Sequence, residues 1–114
     1  MLQTNLTHIL SEKEHAKLLQ ENENVMVCCG RMGPMCIPVY EVMEELESEY
    51  SHVKFADMEF DLPEARVIRD LEECASFRGI PFVIYYKNGK VVKATSSIQY
   101  KDQVTANLDQ YLTK

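Results

Sequence analysis

No stretch of this 114-residue chain approaches the roughly 20 consecutive apolar residues that a membrane-spanning helix needs. Its start, MLQTNLTHIL, lacks the basic end and apolar run of a secretory signal. The cytoplasm is therefore the expected compartment, and the sequon at Asn5-Leu6-Thr7 is expected to stay unmodified. Positive charge is scarce: 12 Lys and Arg stand against 18 Asp and Glu, and a net charge of −6 repels phosphate backbones and anionic lipids. Neither nucleic acid nor a membrane is expected as a partner. Cys28, Cys29, Cys36 and Cys74 are too few and too clustered for a secreted disulfide framework, which leaves buried thiols, a redox pair or a metal site. There is no Gly-rich phosphate loop, no Ser/His/Asp arrangement and no repeat, so phosphate-cradling and triad chemistry have no foothold.

What is present reads as one domain, residues 1–114. A composition of 46% hydrophobic and 26% charged residues is ordinary for a globular protein and excludes disordered and collagen-like chains. Ser11 and Glu14 form a capping box ahead of Leu18 and Leu19, predicting a helix that ends near Asn22. Val25 to Cys29 is a compact apolar run stopped by Gly30, the pattern of a strand buried on both faces. Val39, Met43, Leu46 and Tyr50 recur at helical spacing and predict a helix over 35–50. Residues 53–60 alternate as a strand, and Asp61 and Pro63 suit the start of a helix with Ile68, Leu71 and Ala75 on one face. Phe82 to Tyr86 is rich in β-branched and aromatic residues, the Asn88-Gly89 pair marks a tight hairpin, and Val91 to Ala94 returns antiparallel. Val104, Leu108, Tyr111 and Leu112 give a last helix its apolar face. This order implies an α/β fold: a four-stranded mixed sheet, parallel near its centre, with helices on both faces.

Three segments carry a family resemblance: VMEELESEY after the Gly33-Pro34 turn, FRGIPFVIYYKNGKVV, and KDQVTANLDQYL. Over roughly residues 8–112 the chain resembles the thioredoxin family. The resemblance implies a cis Ile80-Pro81 bond opposite the active-site turn, and protein thiols and disulfides as substrates. It also implies an electron donor of the thioredoxin-reductase type, and no cofactor. The departures fall in the active site, where Gly33-Pro34-Met35-Cys36 replaces C-x-x-C. Counted back from VMEELESEY, Cys36 takes the second active-site cysteine and Gly33 the first. Met32 and Cys29 then stand where the family has tryptophans, and Val27 where it has a buried acid. Counted from the Gly-Pro pair, the assignments shift by one residue and methionines occupy both cysteine positions; the first count is preferred because it also aligns the helix face. The segment 61–78 is about five residues longer than in a typical thioredoxin, which points to an extended helix.

Cys36 in the first turn of a helix is expected to be an activated thiol. A lone thiol needs a second to resolve a mixed disulfide. Strand alternation puts Cys28 and Cys29 on opposite faces, and the first count makes Cys29 the resolving partner. Met32, Gly33, Pro34, Met35, Ile80, Pro81 and Ile98 are the expected docking surface. The competing expectation is a non-catalytic binding module that uses the same groove. Met32, Met35 and Cys36 are soft ligands, but methionine fills binding surfaces more often than it holds copper, and no metal is expected. Cys74 reads as packing, His8, His15 and His52 as surface or satisfied core residues, and Asp57, Glu59 and Asp61 as a solvated acidic face.

Overall fold

The computed structural model describes residues 2–114. Its sheet has five strands in the order β1-β3-β2-β4-β5, formed by Thr7–Ile9, Asn24–Gly30, Lys54–Glu59, Phe82–Lys87 and Lys90–Ser96 as β1 to β5. The four expected strands are all there. The fifth, β1, is three residues long, and its Thr-His-Ile has no alternation to betray it. β2 runs parallel to β3, with Val25 opposite Lys54 and Gly30 opposite Glu59, and antiparallel to β4. Every residue of β2 is buried, as its apolar run requires of a central strand. At the tip of the β4–β5 hairpin, Asn88 and Gly89 adopt φ of 52° and 78°, the left-handed pair that a tight turn needs.

The sheet separates two apolar clusters. On one face Met26, Cys28, Phe55, Val83 and Tyr85 pack against Ile37–Leu46 (α2) and Lys101–Tyr111 (α4) through Val39, Met43, Leu46, Val104 and Leu108. On the other, Val25, Val27, Cys29, Ala56, Met58 and Ile84 meet Glu12–Glu21 (α1) and Arg66–Arg69 (α3) through Leu18, Leu19 and Ile68. Burying each large aliphatic side chain contributes about 1.5–3 kcal/mol, so the two layers supply most of the drive to fold. Ser11 caps α1, its Oγ accepting the Glu14 N–H at 3.1 Å.

Two helices differ from expectation. α2 begins at Ile37 and ends at Leu46; Tyr50 follows in the next turn, and its hydroxyl donates to Asp109. Segment 61–78 holds three short pieces, Pro63–Ala65, Arg66–Arg69 and Glu72–Cys74, in place of an extended helix. The break at Leu71, which is extended at φ −62° and ψ 140°, lets both Ile68 and Cys74 enter the core. A continuous helix would set residues six apart on different faces. Ala75 is consequently exposed, and Asp61 caps nothing: its carboxylate takes the Arg31 guanidinium at 2.7 and 2.8 Å.

Candidate functional site

The C-terminal end of β2 delivers the chain into the turn 31–36, and Gly30 is where the site is assembled. A Cβ on Gly30 would lie 2.7 Å from Cys36 Sγ, 2.9 Å from the Tyr40 hydroxyl and 3.2 Å from Pro81 Cβ. Three groups from α2 and the β4 approach therefore converge on a bare backbone, which only glycine offers. The Ile80-Pro81 bond is cis, Pro81 is buried and Ile80 is half-buried between the two clusters. Pro81 O accepts the Ser97 N–H at 3.0 Å, which draws the loop carrying half-buried Ile98 beside it.

Cys36 is the N-cap of α2, yet it is only 1% exposed and its thiol is pushed up by burial. The expected activation by the helix end is missing because that end has little left to give. Ile37 N–H goes to Gly33 O and Val39 N–H to Cys36 O, while Pro38 has no N–H. The Arg31 N–H at 3.4 Å, the Arg31 charge and the Gly33 backbone N–H all favour the thiolate, and burial outweighs them together. Cys36 is therefore a resting thiol, not a standing thiolate.

The proposed resolving partner lies elsewhere. Cys29 belongs to the cluster on the far face of the sheet, with Cys74, and its thiol is pushed up to about 12 by burial. Cys28 shares the face of Cys36 and Tyr40. Gly30 fixes this parity, since it stands two residues beyond Cys28 with Cys36 Sγ above it. The strand thus departs from the preferred count back from VMEELESEY, which put Cys29 beneath the turn. All four cysteines are free and buried.

The outer wall is apolar and open. Met32 and Met35 are 40% and 41% exposed, Ile37 and Pro34 are exposed as well, and Gly33 has no neighbour within 4 Å of a Cβ position. Behind them Arg31 lies over the Phe60 ring at 5.4 Å while bound to Asp61, and Arg69 lies 5.7 Å from the same ring. The turn is anchored at its root and bare at its tip.

Asp57 is the residue that sequence reading misplaced. It is 1% exposed in the interior of the sheet, a register partner of both Cys28 and His8. His8 Nδ1 is 2.7 Å from Oδ1, and Thr4 Oγ1 hydrogen-bonds Oδ2. Burial outweighs both bonds and pushes the carboxyl above its ordinary range. Asp61 is exposed and Glu59 half-buried, as a wet face requires, but Asp57 is covered by β1 and the residues before it, which left no sequence signal. His15 pairs with the Tyr86 hydroxyl through Nε2, whereas His52 is satisfied only in part: its Nε2 bonds Leu112 O, and its Nδ1 is buried with no hydrogen-bond partner among the described residues. Among the described residues no three His, Cys, Asp or Glu side chains converge to hold a metal ion.

No family model and no curated protein matches the sequence. Solved structures do. Mitochondrial thioredoxin 3 of Saccharomyces cerevisiae in its oxidised form superposes with a TM-score of 0.75 at 18% identity, over 92% of this chain and 94% of that one. Thioredoxin f2 of Chlamydomonas reinhardtii gives 0.75 at 14% identity, covering 96% and 100%. Plasmodium falciparum thioredoxin gives 0.71 at 19% identity, covering 93% and 99%. The chain has the thioredoxin fold.

Proposed function

We propose that the protein is a thiol-disulfide oxidoreductase acting on protein disulfides through Cys36. The observation that carries this reading is the convergence of Cys36 Sγ and Pro81 over Gly30, at the mouth of an exposed apolar turn. Sharing the fold of thioredoxins adds to it. A partner segment would lie across Met32, Met35, Pro34, Ile80 and Ile98, bringing its disulfide to the sulfur. Deprotonated Cys36 attacks one sulfur of that disulfide; the S–S bond breaks and the far sulfur leaves as a thiolate that takes up a proton. A second thiolate then attacks Cys36 Sγ and frees the partner's other thiol, and the two electrons come from the two thiols that end as a disulfide. Cys28, on the same face, is the internal candidate for that second thiol, and an outside thiol the other source. An electron donor of the thioredoxin-reductase type would restore the reduced form. The cytoplasm is the compartment this reading proposes, one where free thiols are kept reduced.

A second reading has its own support: a site whose thiol is 1% exposed, beneath methionines that are 40% exposed, suits a docking module that binds without chemistry. Reduction of a model protein disulfide with a dithiol reductant separates the two. Turnover abolished by Cys36→Ser, with mixed disulfides trapped by Cys28→Ser and not by Cys29→Ser, supports the enzyme. No rate above background, with Cys36→Ser matching the parent, sinks it in favour of docking.

A further inference from the structure

Cys36 is buried, so any thiol chemistry needs a movement that uncovers it, and the segment 2–8 has the construction of a movable cover. β1 pairs parallel with β3 through Thr7, His8 and Ile9 alone. The residues before it turn away from the sheet edge and run toward α2 and the site turn. Asn5 N–H donates to Glu44 Oε2 on α2 at 2.6 Å, and Gln3 N–H meets Met32 Sδ at 3.4 Å. Leu2 and Leu6 are buried in the same apolar cluster as Cys36, Val39, Tyr40 and Met43.

This crossing segment is clasped at one point. Both carboxylate oxygens of Asp57 are held from it, by Thr4 Oγ1 and His8 Nδ1, and Thr4 Oγ1 also accepts the Leu6 N–H at 3.2 Å. From the other elements Asp57 is faced by Cys28 of β2 and by Tyr40 and Glu44 of α2, none of which brings positive charge. Closing the segment thus buries two leucines, which favours it, and strips water from a carboxyl, which opposes it. Two opposed contributions at one short edge strand are what place a segment at the low-stability end of a fold.

We infer that residues 2–8 form a strap, clasped at Asp57, whose opening without global unfolding exposes the Cys36 thiol and frees Met32. This rests on Cys36 being the reacting thiol, but its test needs no turnover. Loss of activity in the disulfide assay would leave the result standing. The strap opens to hydrate Asp57 and closes to bury Leu2 and Leu6, so weakening the clasp shifts it open.

The experiment is iodoacetamide labelling of each cysteine in the native full-length protein, from zero to sub-denaturing urea, beside amide exchange of residues 2–9. In the parent, Cys36 is expected to label at a rate nearly independent of urea, the mark of local opening, while Cys28 follows the full slope of unfolding. His8→Phe should raise Cys36 labelling and exchange of residues 2–9 together, by tenfold or more. Asp57→Asn, which has one acceptor oxygen in place of two and no charge, weakens the same clasp and should raise both as well. Cys36 labelling that keeps the full urea slope in parent and variants overturns the strap. So does fast exchange at 2–9 in His8→Phe with Cys36 labelling unchanged within twofold. If His8→Phe fails to fold, Leu2→Ala loosens the strap at its other end, and the same two outcomes decide.

Discussion

Gly30→Ala tests whether the convergence over the end of β2 is as tight as the geometry indicates. The added methyl would sit 2.7 Å from Cys36 Sγ, 2.9 Å from the Tyr40 hydroxyl and 3.2 Å from Pro81 Cβ. Relief on all three sides at once is blocked. Cys36 and Tyr40 are buried on α2, which is packed against the sheet, and the Tyr40 hydroxyl is committed to Arg31 O at 3.1 Å. Overpacking of this kind costs about 1–3 kcal/mol, and displacing the tyrosine loses a hydrogen bond worth ~0.5–1.5 kcal/mol. The sum is about 1.5–4.5 kcal/mol, a fall in urea midpoint of roughly 0.8–2.2 M at a slope of about 2 kcal/mol/M. The chain has no tryptophan, so far-UV circular dichroism is the readout. Gly33→Ala is the internal control: a Cβ there meets nothing within 4 Å, and the change should stay within about 0.5 kcal/mol. Equal stability of the two variants, or a Gly30→Ala loss below about 0.5 kcal/mol, would refute the packing argument.

Two other predictions concern buried polar groups away from the site. His15, edge-on to Tyr86 with Nε2 3.0 Å from its hydroxyl, has its pKa lowered by burial. The unfolded chain therefore binds a proton at about pH 6.5 while the folded one does not, so stability is full above that pH and lost as pH falls through the lower folded value. His15→Phe should flatten that part of the stability profile between pH 7 and 5 in urea titrations; an unchanged slope would count against it. Asn24 is buried, donating to His52 O at 3.2 Å and Thr113 O at 3.3 Å and accepting from Lys87 Nζ at 2.9 Å. Asn24→Ala should cost about 1–3 kcal/mol and speed amide exchange at Leu112 and Thr113, since a buried amide loses three hydrogen bonds and one of the ties to Thr113 O. Unaltered exchange there would show that the network does not hold the chain end.

What could be read from the sequence followed the strength of local pattern. β2 and the β4–β5 hairpin were legible because a five-residue apolar run and an Asn-Gly pair each have few alternatives. β1 was not, since its pairing to β3 is decided by His8 and Asp57 meeting across 49 residues of sequence. The broken helices between Pro63 and Cys74 were misread as one because Ile68, Leu71 and Ala75 fit a single face on paper. At the site, the turn and the position of Cys36 were legible, while its burial was not. Alternation put Cys28 and Cys29 on opposite faces but could not say which faced the turn. A register of one residue decides that, and it is fixed by Gly30 lying beneath Cys36.

The division of the core by the sheet leaves two thiols on each side: Cys28 and Cys36 on one, Cys29 and Cys74 on the other. Cys28 and Cys29 are adjacent in sequence yet look into separate compartments. A single peptide from β2 therefore carries two clocks, one for each layer. When the protein is stressed by heat, denaturant or a bound partner, the order in which those two sulfurs take up a reagent tells which layer of helices lifts first. No foreign probe is needed, and the same fragment gives both readings, so digestion and ionisation errors cancel.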